Sequence, residues 1–212
     1  MSLTDIGKGE SRWPAALAIL AAIIAVIGMQ VTLPSRLTSY PRWLLPALEV
    51  LLLVGPFVAN PRQLERQSPL LRRARLISIT VVAVANAWLA GWLMGGLILG
   101  SKGLGAGALL ATGVMIWWVN VIVFALWYWE IERDRPHLDF LFPQMQNPRC
   151  APDDWKPAFT DYLYLSYTNA TAFGPTDVLP LSCWAKLTMM LQSAVSFSTI
   201  ALIIARAVNN LA

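Results

Sequence analysis

Residues Asp161–Ser182 read DYLYLSYTNATAFGPTDVLPLS, a short aromatic stretch held between two long apolar runs. It is too polar, and too broken by Gly174 and Pro175, for an ordinary spanning helix. Its start is too hydrophobic for an ordinary surface loop. The residues from about Phe159 to Thr171 suit a short helix, and Gly174-Pro175 then takes the chain out of helical geometry. The reading is a re-entrant pore helix and loop. Non-helical backbone at membrane depth survives only where protein buries it or where it lines water. Exposed carbonyls and hydroxyls there can replace the hydration shell of a cation. The candidate ion pathway is therefore Thr168, Asn169, Thr171, Ala172, Phe173 and Gly174, with Asp177 just beyond.

The rest of the composition fits a membrane. Of 212 residues, 57% are hydrophobic and 13% charged, about half the charge of a soluble domain. Mean hydropathy is +0.55. The formal charge of +4 suits membrane-flanking arginines rather than a nucleic-acid partner. A lone histidine, His137, argues against a His-based metal site or catalytic triad, and no nucleophile–base set points to an enzyme. No metal and no cofactor is expected, beyond a permeating monovalent cation such as potassium.

Working outward, five apolar runs predict five transmembrane helices of an all-α integral membrane fold. Pro14–Leu33 is uncharged and 20 residues long, the length of one bilayer crossing. A mixed-charge tail precedes it, and no cleavable signal is expected. Leu44–Ala59 is short, interrupted by Pro46 and Pro56, and carries Glu49. That intramembrane carboxylate has two readings: pairing with a neighbouring helix, or a place on an ion or proton pathway. Residues 61–75 hold five arginines and read as a solvated loop or surface helix at lipid head groups. Leu76–Gly100 and Leu104–Trp129 are the third and fourth spans. Gly91-x-x-x-Gly95 permits close helix packing, and Asn86 and Asn120 are expected to bond across helices. Residues 130–160 form a proline-rich acidic connection with little regular structure expected. Trp184–Val208 is the fifth span. The chain divides into an N-terminal three-helix membrane region, 1–104, and a pore-like domain, 105–212.

The layout of a span, a short helix, a Thr-rich tip with the Phe173-Gly174 pair, Asp177-Val178-Leu179-Pro180-Leu181-Ser182 and a last span resembles a known family. It is similar to the pore domain of tetrameric potassium-channel-like cation channels over roughly residues 105–208. The resemblance implies passive cation permeation through a homo-tetrameric pore, with the fourth and fifth spans as outer and inner helices. Ala172 stands where that family's filter has its first glycine, and Pro175-Thr176 is a two-residue insertion, so potassium selectivity is not implied. The ending also resembles uncharacterised bacterial integral membrane proteins, which implies a multi-pass protein of a bacterial inner membrane. Alternative functions are a proton-coupled transporter using Glu49 and a non-transporting structural subunit.

At about 100° per residue, Thr188, Gln192, Ser196 and Thr199 share one face of the last helix. This polar stripe reads either as a pore wall or as a helix–helix joint. Orientation is in conflict. A loop entering from outside places 130–183 and the arginine-rich 61–75 outside together, whereas the positive-inside rule prefers 61–75 in the cytoplasm. A disulfide between Cys150 and Cys183 depends on the same question.

Overall fold

The computed structural model describes residues 69–98, 106–132, 137–147, 149, 151, 155–171 and 177–209. The first two expected spans, Glu49 among them, lie outside the described residues. Within them the chain forms α1 (Pro69–Ile98), α2 (Ala106–Glu132), β1 (Phe140–Leu141), α3 (Pro143–Gln146), α4 (Phe159–Ala170), β2 (Leu179–Pro180) and α5 (Cys183–Asn209). Three helices are long and apolar enough to cross a membrane, over Leu76–Gly95, Leu110–Glu132 and Cys183–Ala205. They correspond to the third, fourth and fifth expected spans.

Helix α2 is the centre. It is apolar all round, as a helix enclosed by neighbours should be, and every residue from Val119 to Leu126 is buried. It packs against α1, α4 and α5. Ile79 and Val82 of α1 meet Val119, Ile122, Val123 and Leu126 of α2, with Phe159 of α4 closing the group. Ala90, Leu93 and Ile116 continue this joint toward the other end of the bundle. The outer faces are as apolar as the inner ones: Trp88 is 78% exposed and Phe197 62%. Water would penalise such surfaces, and hydrocarbon does not.

The close glycine approach falls elsewhere than at the Gly91-x-x-x-Gly95 pattern. A Cβ on Gly91 or Gly95 would meet nothing within 4 Å, so this pair makes no close helix contact among the described residues. A Cβ on Gly113 would collide with the Ile203 side chain, so the close approach of α2 and α5 falls there.

The connection after α2 is more regular than its prolines suggest. Helix α2 runs on to Glu132, and α1 already begins at Pro69 inside the arginine-rich segment. Strands β1 and β2 pair antiparallel, Phe140 opposite Pro180 and Leu141 opposite Leu179. The Leu181 N–H donates to the Asp139 carbonyl at 2.8 Å. Each strand is two residues long. The pairing ties the connection after α2 to the segment just before α5. Beneath it, Phe140, Phe142, Tyr162 and Val178 share a core with Phe124 and Tyr128 of α2 and Met189 of α5.

Candidate functional site

Helix α4 covers the expected short helix. Its first turn is tied by Asp161, whose carboxylate accepts the Ala158 N–H at 2.7 Å. An acid in a first turn also complements the helix dipole. Burial raises the Asp161 pKa above its usual range, and the Ala158 hydrogen bond opposes that shift.

From there α4 runs antiparallel to α2. Phe159 stacks edge-on against Trp129, with ring centroids 5.6 Å apart. About two turns further, the Ser166 hydroxyl donates to the Val121 carbonyl at 2.6 Å. At the end of α4, the Trp117 indole N–H donates to the Ala170 carbonyl at 3.2 Å. The contacts step from 129 through 121 to 117 as α4 advances from 159 to 170. Ala170 therefore sits level with a position about 22 Å along α2 from Glu132, at ~1.5 Å per residue.

The inner half of α4 is fixed by a closed polar layer centred on Gln192 of α5. The Gln192 amide NH2 donates to the Ser166 carbonyl at 3.0 Å and to the Ser166 hydroxyl at 2.7 Å. Its carbonyl oxygen accepts the Tyr128 hydroxyl at 2.7 Å and the Asn169 amide at 2.8 Å. All four hydrogen-bonding positions of this amide are filled, and the residue is 0% exposed. Asn169 also donates to the Met189 carbonyl at 3.0 Å, and its own oxygen accepts the Ser193 hydroxyl at 3.0 Å. Asn120 of α2 donates to the Ser196 hydroxyl at 2.6 Å and the Gln192 backbone carbonyl at 3.2 Å. Asn86 of α1 donates to the Ile116 carbonyl at 3.2 Å. Both asparagines thus bond across helices, as expected.

The expected pathway residues fall into three groups. Thr168 and Thr171 are part-buried, and their hydroxyls donate back into α4, to the Tyr164 and Thr168 carbonyls. Asn169 is buried in the polar layer. Ala172, Phe173 and Gly174 lie outside the described residues, and Asp177 is exposed on the returning segment. The stripe of Thr188, Gln192, Ser196 and Thr199 is buried within one chain, each at 6% exposure or less. Thr188 and Thr199 bond to carbonyls of α5 itself, while Gln192 and Ser196 bond to α2 and α4. Of the two readings the stripe admits, these are the contacts of a helix–helix joint, because α2 and α4 cover that face.

The spacing of about 3.6 residues per turn puts Gln192 on a face with Thr188, Ser196 and Thr199 but names none of its partners. Neither Tyr128 nor Ser166 sits in a sequence pattern that announces this role. Tyr128 reads as part of an interfacial aromatic cluster, and Ser166 as one small residue in a helix. Cys183 carries a free, exposed thiol, and Cys150 lies outside the described residues. Among the described residues no group of three His, Cys, Asp or Glu side chains could hold a metal ion. Comparison of the chain with protein-family models, curated proteins and solved structures gives no match.

Proposed function

We propose that this chain is a multi-pass membrane protein in which α4 and the turn after it form a re-entrant element of a passive cation pathway, completed by further copies of the chain. The observation that carries the reading is the depth of α4. Its last carbonyls lie level with Trp117, well inside the Leu110–Glu132 span. The chain is back beside Tyr162 by Val178, within the core beneath the β1–β2 pair. A helix C-terminus inside a membrane presents its negative dipole end to whatever occupies that depth, which favours a cation. Four copies arranged around one axis would bring four such tips together, and one tip cannot surround an ion. In this reading the α5 stripe is the anchor of the tip rather than the wall of the path.

The test is cation flux into liposomes containing the purified full-length chain, with its oligomeric state measured in the same preparation. Flux above that of empty vesicles is expected, with a fall of about tenfold in Gly174→Val, because a branched side chain removes backbone freedom at the tip. An oligomer that passes no cation at any voltage or pH sinks the reading. A second reading, a non-transporting structural subunit, draws on the closure of the polar layer inside one chain. It expects no flux and a specific membrane protein that co-purifies in fixed ratio.

A further inference from the structure

We propose that the end of the bundle shared by the start of α1, the end of α2 and the start of α5 faces the cytoplasm, against anionic lipid headgroups, so that α4 descends from the cytoplasmic side. The placement of the charges carries this. Asn86 of α1 bonds beside Ile116 of α2, and Ile79 and Val82 pack among Val119 to Leu126. The two helices are therefore antiparallel, and the start of α1 is level with the end of α2. The β1–β2 pair brings the start of α5 to that same end.

The bases among the described residues can now be assigned to ends. Arg72, Arg73 and Arg75 begin α1; Arg133, Arg135, Arg149 and Lys156 lie between α2 and α4; Lys186 begins α5. Six of these, Arg72, Arg73, Arg75, Arg149, Lys156 and Lys186, are among the described residues, and all six lie at one end. Among the described residues Arg206, near the end of α5, is the one base at the other end; in the sequence Lys102 also falls between α1 and α2. Arg73 is exposed. Lysines and arginines close to span ends set orientation, and acids contribute little. Three acids of the basic end, Glu130, Glu132 and Asp139, are moreover buried at 1%, 1% and 2% exposure. They are withdrawn from the surface that meets the headgroups. Each exposed base near an anionic leaflet adds an attraction of about 1 kcal/mol, so the difference between the two ends is decisive. The resemblance to potassium channels taken alone directs the loop from outside; the charge distribution directs it from inside.

The orientation stands whether or not ions pass, so its failure and the failure of the channel reading are separate results. The direction of α4 rests on the re-entrant reading. The experiment labels single thiols in bacterial cells expressing the full chain, using a membrane-impermeant maleimide. The Cys150→Ser chain keeps the exposed Cys183 at the basic end. Gln146→Cys, in a chain with both native cysteines replaced by serine, is a second exposed position at that end. Gly107→Cys in the same background is an exposed position at the other. Detergent-solubilised protein gives the full-labelling reference for each. Cys183 and Gln146→Cys are expected to react about fivefold more after permeabilisation than in intact cells, and Gly107→Cys to react fully in intact cells. Labelling of Cys183 or Gln146→Cys in intact cells, or equal labelling of the two ends from outside, overturns the proposal.

Discussion

The joint between α1 and α2 and the seat of α4 are built in opposite ways. Along the first, Ile79, Val82, Ala90 and Leu93 meet apolar side chains of α2, and Asn86 adds a side-chain hydrogen bond to the Ile116 carbonyl. Along the second, Ser166, Asn169 and Gln192 exchange bonds with α2 and α5 until every position of the Gln192 amide is used. In lipid, apolar contact alone distinguishes poorly between protein and hydrocarbon. A long helix such as α1 can rely on it, because its length matches the bilayer and fixes its depth. A helix of twelve residues has no such constraint. Something directional must hold it in one register against α2 and α5, and hydrogen bonds to fixed backbone carbonyls do that.

The sharpest way to break this contrast is Gln192→Leu. It removes four hydrogen bonds at once and leaves Tyr128, Ser166 and Asn169 each short of a partner. Given about 0.6 kcal/mol for an average bond in a membrane protein and 1–3 kcal/mol for a buried group left unsatisfied, the loss should be about 2–4 kcal/mol. Unfolding in mixed detergent micelles measures it, and hydrogen exchange should show α4 losing protection while α1 keeps its own. A variant as stable as the parent, with α4 still protected, would show that apolar packing seats α4 as it seats α1.

Asn86→Leu probes the other side of the comparison. One bond is lost, and the carbonyl it served is already bonded within α2, so the cost should be below about 1 kcal/mol in the same assay. A loss as large as that of Gln192→Leu would erase the distinction between the two joints.

The smallest effect is expected at the start of α4. The Asp161 carboxyl titrates above its usual range because burial disfavours its charge. A carboxyl whose folded pKa is raised binds its proton more tightly in the fold than out of it. Its contribution is therefore complete below the ordinary carboxylate range and is lost as pH rises through the raised pKa. Asp161→Asn, which keeps an oxygen for the Ala158 N–H, should flatten that part of the Tm-against-pH curve. An unchanged slope would show that another group is responsible.

How much of this was legible in the sequence follows from how local each signal is. The spans over α1, α2 and α5 are readable because each is one uninterrupted apolar run, and α4 because helix-compatible residues end at Gly174-Pro175. The cross-helix role of Asn86 and Asn120 follows from the cost of an amide in hydrocarbon. The Gln192 layer is not local: Asn120, Tyr128, Ser166 and Gln192 meet only once three helices have taken their register. The same holds for Gly113, whose meaning depends on Ile203 about ninety residues away. Gly91-x-x-x-Gly95 shows the converse, since a pattern that permits contact does not create a partner. Strands of two residues carry no periodicity to read.

The β1–β2 clasp has a further consequence, one of chain length. Tyr162 and Val178 lie in one core, so the chain that descends from Tyr162 to Ala170 must regain that level by Val178. The descent is about 12 Å of helix, whereas the eight residues that climb back can reach about 27 Å when extended. The return limb therefore has roughly twice the contour its journey needs. Between Ala170 and Val178 the chain therefore has length to spare, so deleting one residue there should leave both α4 and α5 in register.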